Sequence, residues 1–158
     1  MIIISDTGPL ISLALIDKLH LLDVFYDKIA IPTAVWKEAK KYIDILELLS
    51  LQEFAGRVIR LKTEHLPDFN LGQGETEAIL LFDETDADTL LIDDKEARDV
   101  AEKRQIPCIG TLGILIAAKH AGYIDVLRPL FLKLLASNRY YAISLLNDIL
   151  VSENEPVI

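Results

Sequence analysis

The sequence predicts an α/β protein, a three-layer α/β/α sandwich around a mostly parallel sheet, and three observations carry that prediction. Short continuous apolar runs alternate with longer stretches of helical periodicity along the chain. Most of the runs show no apolar–polar alternation, which is how a strand reads when helices cover both faces of its sheet. Turn residues, repeatedly with an acid among them, separate a run from the helical stretch after it. Units of this kind join through right-handed crossovers, and the strands come out parallel.

The first unit is Ile2-Ile3-Ile4, ended by Ser5-Asp6-Thr7-Gly8-Pro9 and followed by helical Leu10, Ile11, Leu13 and Ala14. Proline suits a first helical turn, where its missing N–H has no partner to lose, so Asp6 falls where strand gives way to helix. Ile29-Ala30-Ile31 with Pro32-Thr33 repeats the pattern, Thr33 serving as N-cap and Ala34 to Tyr42 as helix. A helical stretch over Ile43 to Ala55 leads to Arg57-Val58-Ile59-Arg60-Leu61, whose alternation suits an edge strand, and to a loop from Thr63 to Asn70. Leu71-Gly72-Gln73-Gly74-Glu75 opens a helix reaching Glu84. Thr89-Leu90-Leu91-Ile92 is a strand stopping at Asp93-Asp94, and Lys95 to Arg104 is the next helix. Ile106 to Ile109 is a buried strand, Gly110-Thr111-Leu112-Gly113 a turn, and Ile114 to Ala121 a helix closed by Gly122. Ile124 to Val151 forms two helices broken near Ser137-Asn138. No linker, repeat or low-complexity run intervenes, so residues 1–158 read as a single domain with the helices from position 124 packing on it.

A chain of 158 residues buries roughly two thirds of its unfolded surface and needs no staple. Its 51% apolar content and mean hydropathy of +0.31 are at the upper end for a soluble domain, which points to apolar surface for a partner or a second copy, as in a homodimer. No run approaches the ~18 apolar residues of a membrane helix, and Met1 to Ser5 lacks the basic start of a signal peptide, so the expectation is a cytoplasmic protein without a membrane partner. The lone Cys108 forms no internal disulfide and reads as packing. The net charge of −9 argues against gripping nucleic acid along an extended basic surface. Clustered acids repel one another, however, and a divalent cation relieves that repulsion, so an acidic balance suits a carboxylate metal site.

The positions of the acids favour such a site. Ligands of open parallel sheets bind beyond the carboxyl ends of the strands. Asp6, Asp93 and Asp94 follow apolar strands directly, Glu75 lies in a first helical turn, and Glu38 sits one turn into the second helix. Each has an ordinary explanation as well. Asp6 would cap a helix, Glu38 would pair with Lys41, and Glu75 would complement a helix dipole. Asp93-Asp94-Lys95-Glu96 fits a capping box that employs Asp93 and leaves Asp94 free. Two details outweigh these readings. Glu38 shares a helix face with Ala34, Val35 and Tyr42, and Glu75 with Ala78 and Ile79, so both acids border apolar stripes. Buried there, they need a compensating charge, and Lys37, Lys40 and Lys41 face outward.

Other constellations are weak. His20, His65 and His120 are scattered, which excludes a zinc pattern. Gly72-Gln73-Gly74 lacks the later glycine of a dinucleotide loop, and no Walker lysine follows. Trp36, Tyr140 and Tyr141 read as core or interface packing before base stacking.

Together these segments resemble the PIN-domain superfamily, in particular a prokaryotic PIN-like nuclease branch similar to the ribonuclease toxins of toxin–antitoxin pairs. The likeness rests on Ser5-Asp6-Thr7-Gly8-Pro9-Leu10, on Ile31-Pro32 with Val35 and Glu38, and on Leu71-Gly72-Gln73-Gly74-Glu75 with Ala78-Ile79. Leu91-Ile92-Asp93-Asp94-Lys95 with Ala97-Arg98 and Gly110-Thr111-Leu112-Gly113 complete it. It implies a five-stranded parallel sheet, a Mg²⁺ or Mn²⁺ site, an RNA substrate and, in a toxin, an antitoxin partner. The resemblance carries the metal ligands onto Asp6, Glu38, Glu75 and either Asp93 or Asp94, with Glu75 where most relatives have aspartate and Glu77 a poorer occupant. Toxin-type relatives carry Thr or Ser with Asn before the last acid, whereas Ile92 stands here.

The implied activity is metal-assisted phosphodiester hydrolysis, with Lys37, Lys95 and Arg98 as candidates to meet phosphates. Two rivals remain: a catalytically inactive PIN-like module that binds nucleic acid or protein, and a haloacid-dehalogenase-like phosphatase with Asp6 as nucleophile. The latter wants a second aspartate where Gly8 stands.

Overall fold

The computed structural model describes residues 1–158, which form two compact units, 1–111 and 112–158. The first unit runs β1 (Ile2–Ser5), α1 (Thr7–Leu15), α2 (Leu21–Phe25), β2 (Lys28–Pro32), α3 (Thr33–Leu46) and α4 (Leu49–Gln52). A 3₁₀ turn (Glu53–Arg57), β3 (Val58–Ile59), α5 (Gln73–Glu84), β4 (Thr89–Leu91), α6 (Lys95–Lys103) and β5 (Cys108–Ile109) complete it. The strands form one sheet in the order β3-β2-β1-β4-β5, parallel throughout, as the alternating pattern predicts.

Register explains the unbroken apolar runs. Ile4 stands opposite Ala30 on one side and Leu90 on the other, and all three pack with Ala78, Ile79 and Leu81 of α5 and Ala97 and Ala101 of α6. Ile3 and Ile29 point to the opposite face by the two-residue period of a strand, and they too are buried. From β1 the chain steps outward to β2 and β3, then returns to β4 on the other side of β1. Helices leaving β1 and β4 therefore diverge, opening a crevice at the carboxyl ends of these two strands. Asp6 and Asp93 stand there.

Several elements differ from the sequence reading. The helical stretch after Ile43 is broken because Glu47 takes a left-handed conformation (φ 53°), which ends α3 and leaves only α4 and the 3₁₀ turn before β3. The five residues of α2 are too few to show a period. Gly110–Gly113 is not a free turn, since α7 (Thr111–His120) starts at Thr111 and includes Gly113. Cys108 is half-buried, because β5 is an edge strand of two residues; burial pushes its thiol pKa up. Tyr140, expected to pack, is 94% exposed.

Thr33 is not the cap of α3 either. The N-cap position is Pro32, which has no acceptor side chain, and Glu77 of α5 supplies one instead. The Ala34 amide donates to Glu77 Oε1 at 3.1 Å, while Gln73 Nε2 donates to Oε2 at 3.1 Å. Glu77→Ala strands a buried amide, at a cost of about 1–3 kcal/mol. At roughly 2–4 °C per kcal/mol for a chain of this size, melting falls by several degrees, and Glu77→Gln, which keeps the acceptor oxygen, falls less.

In the second unit α7 ends at His120, with Gly122 (φ +84°) just beyond it, and α8 (Arg128–Ala136) and α9 (Ile143–Ser152) are separated at Asn138 (φ 59°). Glu155 holds them to the chain end: its carboxylate accepts from the Leu127 and Arg128 amides and from Lys119 Nζ at 2.6 Å. Burial pulls its pKa up, but Lys119 and the amides outweigh this and leave it below the ordinary value. No helix is long and apolar enough to cross a membrane.

Candidate functional site

Asp6 continues β1 and is tied to the end of β4, its amide donating to the Leu91 carbonyl at 2.9 Å. It occupies the N-cap position of α1 in extended conformation, yet its carboxylate accepts no capping bond, so helix capping does not account for it. The residue is only 6% exposed. Burial pushes its pKa up to about 7; the Thr7 amide acts the other way, and Glu75, Glu38 and Asp93 push it further up. These three charges are all negative.

Glu38 turns toward this centre rather than toward Lys41. The Thr7 hydroxyl donates to its Oε2 at 2.8 Å and fixes the carboxylate. The first turn of α5 lies against the other oxygen: a Cβ on Gly74 would stand 3.0 Å from Glu38 Oε1, so this approach needs glycine. Glu75, one residue on, reaches back to accept from the Gly72 amide at 3.1 Å, closing the first turn of α5. Burial raises its pKa, the Gly72 bond opposes that, and Asp94, Glu38 and Glu96 add to the rise. Glu75 therefore serves its helix and still belongs to the acidic cluster.

The adjoining aspartates divide their roles opposite to the capping box expected from the sequence. Asp94 is exposed and is the N-cap of α6, its Oδ1 accepting from the Ala97 amide at 2.9 Å. Asp93 is turned inward, with Oδ1 accepting from the Thr111 amide at 2.7 Å and Oδ2 from the Thr111 hydroxyl at 2.6 Å. These bonds start α7 at Thr111. The charge of Asp93 still reaches Asp6, whose pKa it raises.

Gly110 makes that arrangement possible. A Cβ there would stand 2.6 Å from Arg98 Nη2 and 2.8 Å from Asp93 Oδ1. Both side chains are pinned, Arg98 by donating to the Ile92 carbonyl at 2.8 Å and Asp93 by Thr111. Gly110→Ala must therefore displace Asp93 or Arg98, an overpacking that costs about 1–3 kcal/mol. Thermal unfolding should show the loss. Arg98 is thus bound to the end of β4 with its Nε buried and unpartnered, while Lys37 and Lys95 are exposed. Thr7, Gly74, Gly110 and Thr111 were not singled out as site residues by the sequence, and Glu77 appeared there only as a poorer metal ligand, not as the cap of α3. Each acts on a group of another element, which leaves no local signal.

The structure therefore brings Asp6, Glu38, Glu75 and Asp93 into one electrostatic cluster at the crevice between β1 and β4, with Asp94 on its rim. Comparison with known proteins bears on its meaning. A model of the DUF3368 family, described as a PIN domain, matches residues 2–155. The chain belongs to the PIN-domain family. A PilT N-terminus domain protein from the hyperthermophilic archaeon Sulfolobus solfataricus P2 shares the fold, with a TM-score of 0.56 and 23% identity over 75% of this chain and 93% of that one. No curated protein matches the sequence. PIN domains are often nucleases and generally bind divalent metals.

The residues of this PIN domain suit such an ion in donor chemistry. All are carboxylates, the oxygen ligands that hard divalent cations take. Thr7 and Gly72 each occupy one oxygen of Glu38 and Glu75 and leave Oε1 unclaimed. Hydrogen bonding of this kind orients metal-binding carboxylates. The spacing is open: no three Asp, Glu, His or Cys side chains converge tightly enough to grip an ion directly. A divalent ion there would keep several of its waters and use one or two carboxylates.

Proposed function

We propose that this PIN domain is a divalent-metal-dependent ribonuclease that hydrolyses phosphodiester bonds. One observation carries the reading: Asp6 is buried at the β1/β4 crevice with three further carboxylates acting on it. Asp6 and Asp93 would hold Mg²⁺ or Mn²⁺, with Glu38 and Glu75 binding it directly or through water. When bound, the ion would acidify water and neutralise charge developing on the phosphoryl oxygens. Glu75, whose pKa burial has raised, takes the proton of the attacking water at its unclaimed Oε1. The new bond forms between water oxygen and phosphorus, the bond to the leaving oxygen breaks, and solvent protonates that oxygen. Thr7, Gly72 and Thr111 hold the carboxylates in place.

The test is incubation with labelled single-stranded RNA in chelator, Mg²⁺ or Mn²⁺, beside Asp6→Asn and Glu75→Gln. Cleavage should require metal and the wild-type acids, and equal cleavage by all three proteins rules the site out. The open spacing of the carboxylates favours a second reading, a catalytically inactive module that binds nucleic acid or protein and leaves RNA uncut whichever metal is supplied. A toxin role adds one expectation, that production of the wild-type chain, and not of Asp6→Asn, slows cell growth.

A further inference from the structure

Beside the carboxylate cluster, at the carboxyl ends of β2 and β3, lies a cleft of ≈ 580 Å³ that the proposed chemistry does not use. Its walls include Arg60, Leu61, Lys62, Thr63 and Leu66 from the loop after β3, and Gln73 from the start of α5. We propose that this cleft is a subsite for the single-stranded RNA flanking the scissile phosphate, with Arg60 and Lys62 meeting the backbone phosphates; the inference rests on the ribonuclease reading.

Three observations support it. The cleft and the cluster share one helical turn: Gln73 lines the cleft, and the next residue, Gly74, abuts Glu38. A strand leaving the crevice on the β2 side therefore enters the cleft. The wall is fixed in advance. The Lys62 and Thr63 amides donate to Glu84 at 2.8 Å each, and the Thr63 hydroxyl donates to the same carboxylate at 2.5 Å. Binding then costs little ordering of the loop. The lining also fits a nucleotide. Arg60 is exposed and makes no ion pair, Leu61 and Leu66 offer apolar contact to a base, and Gln73 adds a polar group near the junction with the cluster. Glu77 accepts from the Ala34 amide and Gln73 Nε2 and is turned toward them. Glu64 and Glu77 are the acids on the wall that oppose phosphate, and Glu84 acts on Lys62 from beneath the loop. In a chain of net charge −9, two cations beside the cluster matter more than they would on a basic protein.

The experiment compares the full-length chain with Arg60→Ala/Lys62→Ala, with Glu64→Gln, and with a control pair of the same charge, Lys28→Ala/Lys103→Ala, at the amino end of β2 and in the last turn of α6. Binding of a short labelled single-stranded RNA in Ca²⁺ is followed by anisotropy across a salt series, and hydrolysis of bis(p-nitrophenyl) phosphate in Mn²⁺ is followed separately. The cleft variant should bind about tenfold more weakly with a salt slope smaller by roughly two, Glu64→Gln should bind more tightly, and small-diester hydrolysis should stay unchanged. Equal weakening by the two double variants, or no RNA binding by the wild type, overturns the subsite. Failure of wild-type diester and RNA cleavage would remove the ribonuclease reading instead, and the binding comparison would still report on the cleft.

Discussion

Asp6→Asn should lower RNA cleavage at least about a hundredfold and, at alkaline pH, raise the stability of the metal-free protein. The first effect follows from removing the charge at the centre of the cluster: stabilisation of several kcal/mol by an ion-binding carboxylate corresponds to two or more powers of ten in rate. The second follows from burial. Asp6 ionises among Glu75, Glu38 and Asp93, and the neutral amide avoids both desolvation and that repulsion while keeping the shape. Substitutions of buried residues normally destabilise, so lost activity combined with a melting temperature several degrees higher distinguishes a functional acid from a structural one. Glu77→Ala should show the opposite pattern, because its carboxylate is hydrogen-bonded on both oxygens.

Stability of the metal-free protein should also depend on pH through Asp6. Its folded pKa, about 7, lies above the ordinary 3.8, so between these values the folded chain binds more protons than the unfolded one. Stability therefore falls as pH rises from about 4 to about 7, and the difference in pKa amounts to roughly 4 kcal/mol. Glu75, also raised, acts in the same sense. Glu84 and Glu155, both lowered, act the other way and lose their contribution as pH falls, so the informative quantity is wild type minus Asp6→Asn. That difference should slope downward across the window. Saturating Mn²⁺ should flatten it, because an ion held by the native carboxylates displaces the proton and stabilises the native state alone.

The sequence showed the parts of this arrangement that are local in the chain. Ile2-Ile3-Ile4 and Thr89-Leu90-Leu91 are unbroken apolar runs because both faces of the sheet are covered, and the acids after them mark the strand ends. What stayed hidden depends on partners distant in sequence. Asp93 looked like a capping residue and Asp94 a free one because the capping rule sees only neighbours; the donor that claims Asp93 is Thr111, eighteen residues on. Glu77 offered no hint of capping α3, since its partner amide lies 43 residues earlier. Gly110 looked like a turn glycine and Gly74 like part of a helix opening, and their close approach to Glu38, Asp93 and Arg98 emerges only when the elements pack. Arg98, placed at the site by sequence, is held by the Ile92 carbonyl at the end of β4.

Manganese binding to the full-length metal-free chain, followed by electron paramagnetic resonance and compared with Asp6→Asn, tests the cluster most directly. The wild type should remove free Mn²⁺ from solution and lose that capacity with Asp6→Asn, while the variant remains folded. Equal Mn²⁺ binding by the two proteins, or none by the wild type, would contradict a metal site built on Asp6.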